Sequence, residues 1–76
     1  MLRFRFLLND LSKTTGLSNT ALGDFTARAQ KIAKQDYGKD ISLLDLMETG
    51  RSLVALAGGK PDYPRALSAV VAQRAR

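Results

Sequence analysis

Five apolar residues, Leu22, Phe25, Ala29, Ile32 and Ala33, fall at i, i+3, i+7, i+10 and i+11, the spacing that draws one apolar stripe along an α-helix. Ser18 stands just ahead of them and can offer its side-chain oxygen to the free amides of a helix start. Tyr37-Gly38 supplies the stop, so the sequence predicts one firm helix between Ser18 and Gly38. Such a stripe must be covered, and 76 residues leave room for one domain with one modest core. The chain has no cysteine and no histidine, which removes disulfides and the usual zinc ligands together. Helix packing, or a partner subunit, must therefore supply the stability. With 45% hydrophobic and 25% charged residues the composition is that of a folding globular chain.

The rest of the sequence reads as further short helices. Leu2, Phe4 and Phe6 alternate with Arg3 and Arg5 as in a half-buried strand, while Phe4, Leu7, Leu8 and Leu11 recur at helical spacing; the leucines favour helix. Thr14-Thr15-Gly16 closes this segment. Asp40 or Ser42 can cap a third helix through Leu43, Leu44, Leu46 and Met47. Thr49-Gly50 is expected to break it before Ser52 to Ala57 form another turn or two. Gly58-Gly59-Lys60-Pro61-Asp62-Tyr63-Pro64 reads as an internal Gly/Pro linker. Pro64 suits the first turn of a final helix, Arg65 to about Arg74, whose apolar face is Leu67, Val70 and Val71. The expectation is an all-α single domain over residues 1–76, a small bundle of four to five short helices with a helix or a short strand at its N-terminus. Phe4, Phe6 and Phe25 are assigned to the core.

Charge is distributed unevenly around the net +5. Residues 1–35 carry six cations against two acids, residues 36–50 carry Lys39 against four acids, and residues 51–76 carry five cations against Asp62. Basic ends suit phosphate or an acidic protein surface, and the acidic middle could receive the basic tail of a second copy. Without thiols or imidazoles most familiar catalytic arrangements cannot be assembled, so no enzyme, no cofactor and no small-molecule substrate are expected. Asp36, Asp40 and Asp45 read as caps and solvated charge rather than a metal site. Gly58-Gly59-Lys60 lacks the first glycine and the Ser or Thr of a phosphate-binding loop. No apolar run approaches the roughly 20 residues of a membrane span. Asn9 and Asp10 interrupt the apolar start before it could serve as a signal peptide, so a cytoplasmic location is expected.

The stretch from Asn9 to Phe25 carries a more specific pattern. Ser12 supplies a small residue where two helices would cross, Gly16 follows four positions later for a tight turn, Leu17 is apolar directly after it, and Leu22 and Phe25 are anchors further on. This framework resembles the helix-turn-helix of bacterial and phage repressors over about 20 of the 76 residues. The resemblance implies DNA as partner and a role in transcription regulation. Ser18, Asn19 and Thr20, at the start of the second helix, would meet bases or phosphates in the major groove, Asn suiting a bidentate contact with adenine. Lys13, Arg28, Lys31 and Lys34 would neutralise phosphates. Asp24 on the same helix would suit only a cytosine amine. One small module buries little surface on DNA, so a homodimer is expected, with the C-terminal helix as its contact.

A second resemblance lies downstream. Tyr37 to Met47, followed by Gly50, Ser52-Leu53 and Leu56-Ala57, is similar to the third and fourth helices of acyl and peptidyl carrier domains. The serine that carries the phosphopantetheine arm in that family would fall near Gly23, so no attachment is implied. The alternative to DNA is a small non-enzymatic protein-interaction module, a phage- or plasmid-type inhibitor or adaptor, docking a basic and apolar helix face on a larger protein.

Overall fold

Four helices, α1 Leu2–Thr15, α2 Asn19–Tyr37, α3 Leu43–Leu56 and α4 Tyr63–Arg74, make up the chain in a computed structural model that describes residues 2–56 and 62–76. The all-α expectation holds. The opening segment is helix from Leu2, and no strand occurs among the described residues. Helix burial explains this preference: Leu7 and Leu11 are buried one turn apart, with Phe4 and Leu8 packed beside them, whereas a strand would have needed a pairing partner.

Each start has a chemical cause. Ser18 is extended (φ −69°, ψ 159°) and its Oγ accepts the Ala21 N–H at 3.1 Å, as the cap expectation required. Ser42, not Asp40, caps α3, its Oγ accepting the Asp45 N–H at 3.0 Å. Asp62 caps α4 through the Arg65 N–H at 3.2 Å, and Pro64 sits in the first turn. Gly58–Pro61 of the expected linker lie outside the described residues, while Tyr63 and Pro64 already belong to the helix. α2 ends where Gly38 turns left-handed and the amides of Gly38 and Lys39 reach back to Lys34 and Ala33, both at 3.0 Å.

The expected break at Thr49-Gly50 does not occur, and α3 runs unbroken to Leu56. The reason is tertiary. Gly50 is buried under α4, and a Cβ placed there would lie 3.1 Å from Tyr63 Cε1 and 3.3 Å from Leu67 Cδ2. A glycine inside a helix costs about 0.5–1 kcal/mol relative to alanine; here its missing side chain lets the Tyr63 ring seat against the α3 backbone.

α4 packs most extensively on α3 and then on α2, while α1 lies across α2 and α3. The shared core holds Leu11, Leu22, Leu46, Met47, Tyr63, Leu67 and Val70, all essentially without exposed surface. The predicted apolar face of α4, Leu67, Val70 and Val71, is buried in full. Two assignments differ. Phe6 is 61% exposed and Ile32 is 42% exposed, because Phe6 lies about 100–140° around α1 from Leu7 and Leu11 and Ile32 sits at the margin of the α2 stripe. The stripe instead gains Thr26, whose hydroxyl donates to Leu22 O at 2.7 Å and is bonded to the Tyr63 hydroxyl at 2.5 Å.

Charge also resolves differently. Two acids of the middle are met by this chain's own basic ends: Arg3 pairs with Glu48 at 2.6 Å and Arg74 grips both Asp45 oxygens at 2.8 and 3.0 Å, while Arg51 of the tail pairs with Asp10 of the first segment at 2.5 Å. The Arg74 hydrogen bonds hold the Asp45 carboxyl below its ordinary range, with Thr49 adding to the effect against partial desolvation. A carboxyl lowered on folding contributes stability that is fully present above its unfolded value and is lost as pH falls through the folded one. Urea unfolding of wild type and Asp45→Asn should therefore converge as pH is taken below the ordinary carboxylate range, the wild type being the more stable near neutrality.

Candidate nucleic-acid interface

The turn between α1 and α2 is three residues long, and each position has its own constraint. Gly16 takes φ +77°, a left-handed conformation that side chains resist. Its N–H closes the last turn of α1 on Ser12 O at 2.9 Å. Ser12 Oγ then donates across the corner to Leu17 O at 2.7 Å, so the small residue at the crossing also ties the turn. Thr15 Oγ1 donates to Leu11 O at 2.6 Å and accepts the Leu17 N–H at 3.2 Å. Leu17, half-buried against the core, brings the chain to Ser18.

This geometry gives a pair of opposite expectations. Nothing lies within 4 Å of a Cβ added at Gly16 or at Gly23, so backbone conformation alone decides the outcome. Gly16→Ala should lower unfolding free energy by about 1–2 kcal/mol, the cost of a left-handed alanine. Gly23→Ala, in ordinary helical backbone, should raise it by about 0.5–1 kcal/mol. Urea denaturation of the two variants reads both signs.

Ser18, Asn19 and Thr20 are all exposed at the N-terminal end of α2. Asn19 and Thr20 share an open polar hollow of about 460 Å³ with Asn9, Ser12 and Lys13 of α1. Within it Asn19 Nδ2 donates to Asn9 Oδ1 at 3.3 Å, leaving the Asn19 carbonyl oxygen and one N–H unengaged by protein. Asn9 was not singled out by sequence reasoning. An asparagine ten positions before another has no local signature, and only the turn brings the two together.

The remaining basic candidates lie further along α2. Arg28, Lys31 and Lys34 are exposed on the solvent arc, at about 13, 18 and 22 Å along the axis from Asn19 by helical rise. The structure thus groups Lys13 with Asn19 and Thr20 and sets the other three apart as a basic run. Arg28 lies over the Phe25 ring at 6.0 Å, and Lys34 is within 3.9 Å of Asp40 with both side chains solvated. Asp24 is exposed on the same arc. Among the described residues Lys13, Arg28 and Lys31 have no carboxylate within 4.0 Å, in contrast to Arg3, Arg51 and Arg74.

Asp36, Asp40 and Asp45 do not come together, and the described residues hold no group of three or more potential metal ligands. No described helix is long and apolar enough to cross a membrane. α4 leaves Arg65, Ser68, Ala69, Ala72, Gln73 and Arg74 exposed. Comparison with protein families, curated proteins and solved structures finds no match to the chain.

Proposed function

We propose that this chain is a small, non-enzymatic DNA-binding protein of the helix-turn-helix kind, acting as a homodimer in transcription regulation. One observation carries the reading: Ser18, Asn19 and Thr20 stand exposed at the N-terminal end of a helix that follows a three-residue turn with a left-handed Gly16. That is the end such a helix inserts into the major groove. Had the chain's own packing covered these three residues, the reading would have failed.

Scale and charge favour the same surface. The distance of about 13 Å from Asn19 to Arg28 along α2 is close to the major-groove width of about 12 Å, so base contacts at one end leave cations beside the flanking backbone. Internal pairing consumes Arg3, Arg51 and Arg74, so the excess positive charge is left to residues that include Lys13, Arg28 and Lys31. Phosphate neutralisation then supplies affinity, and Asn19 and Asp24 supply preference for adenine and cytosine respectively.

Fluorescence anisotropy with mixed-sequence duplex DNA tests this. With about four phosphates neutralised per protomer, and so about eight per dimer, raising salt from about 50 to 200 mM should weaken binding by roughly ten-thousandfold. Absence of binding at the lower salt would refute the proposal.

A further inference from the structure

A second concavity is chemically unlike the polar hollow. An open groove of about 860 Å³ runs beside α1, lined by Phe4 and Leu8, by Leu44 of α3, and by Arg3, Arg5, Asn9 and Asn19. Phe4, Leu8 and Leu44 are half-buried and packed against the core, so the floor is apolar and backed by fixed structure. No acid lines it. Arg3 is paired with Glu48, whereas Arg5 is exposed and has no carboxylate within 4.0 Å among the described residues.

The shape restricts the occupant. Sites for small molecules bury about 70–90% of the ligand, and an open groove covers one face only. Its lining on α1 runs from Arg3 to Asn9, about 9 Å or just under two helical turns, close to the roughly 10 Å over which a helix presents apolar residues at i, i+4 and i+7. Cations at the edge call for carboxylates beside that apolar face. This chain's own acidic helix, α3, is not available for the purpose, because Asp45 and Glu48 are engaged by Arg74 and Arg3. We infer that the groove formed by Phe4, Leu8 and Leu44 under Arg5 receives an acidic amphipathic helix of another protein. The inference stands apart from DNA binding except at one point: Asn19 borders both concavities, so, if the DNA reading holds, helix and DNA exclude one another.

The test uses isotopically labelled whole protein, without DNA, titrated with a synthetic peptide of about four helical turns bearing leucine at i, i+4, i+7 and i+11 and glutamate between. A matched peptide carries lysine in place of glutamate. The glutamate peptide should give saturable amide shifts at Phe4, Leu8, Leu44 and Asn19, and the lysine peptide should bind at least about tenfold more weakly. Arg5→Glu, at an exposed position, should weaken the glutamate peptide by about tenfold or more, and Arg76→Glu should not. Equal binding of both peptides, shifts confined to other surfaces, or no shift at millimolar peptide would overturn the inference. So would concentration-dependent shifts of the groove amides without peptide, which would make a second copy the occupant. Because DNA is absent, failure here and failure of DNA binding are read separately.

Discussion

Tyr63→Ala should lower the unfolding free energy by about 3–5 kcal/mol, a large share of what a chain of this size has. Tyr63 is the largest side chain with no exposed surface, and it joins three helices. It opens α4, its ring rests on the α3 backbone at Gly50, and its hydroxyl meets Thr26 of α2 at 2.5 Å. Since the Thr26 hydroxyl already donates to Leu22 O, the tyrosine is the donor in their bond. Removing a buried aromatic costs about 3–5 kcal/mol, and a domain of this size has in total only about 4–11 kcal/mol at the usual stability per residue. Tyr63→Phe keeps the ring and should cost about 1 kcal/mol, the worth of one hydrogen bond whose acceptor retains another partner. The two variants also separate in alkali. Burial pushes the Tyr63 hydroxyl above its ordinary value. An acid raised on folding stabilises fully below its unfolded pKa of about 10 and loses that stability as pH climbs further. Wild-type stability should therefore fall above that pH more steeply than that of Tyr63→Phe. Urea unfolding followed by circular dichroism measures each of these, and an alanine variant as stable as wild type would contradict the packing described.

The second large effect concerns DNA. Lys13→Ala, Arg28→Ala and Lys31→Ala combined should reduce the slope of log affinity against log salt by about 5.4 for the dimer, at roughly 0.9 for each phosphate no longer neutralised, about three per protomer. These positions are exposed and free of carboxylate partners among the described residues, so the triple variant should fold as wild type. Arg74→Ala removes the same kind of charge from a residue committed to Asp45 and should leave the slope unchanged. A triple variant with a wild-type slope would place the phosphate-binding residues elsewhere.

What could be read in advance follows the range of the interactions involved. Ser18, Gly16, Gly38 and Pro64 act within one turn of their own position, and the order and number of helices rests on such residues. Gly50 has the composition of a break and the function of a contact, because the atoms that explain it belong to Tyr63 and Leu67. Thr26 is polar in sequence and buried in the fold for the same reason. Ile32 and Phe6 fit an apolar pattern, yet both are exposed, Ile32 at the margin of the α2 stripe and Phe6 on a different side of α1 from Leu7 and Leu11. Of the site, the turn and the exposed triplet were legible. The polar hollow that joins Lys13 to Thr20, the Asn9–Asn19 bond and the groove under Arg5 depend on how α1 lies across its neighbours, and a one-dimensional pattern does not encode that angle.

The direct measurement is an amide-resolved NMR titration of the whole protein with duplex DNA at low salt. DNA reading by α2 predicts shifts concentrated at Gly16 to Thr20, Lys13, Asp24, Arg28 and Lys31, reversed by added salt. Shifts confined to the opposite face of the bundle, or none at all, would contradict it.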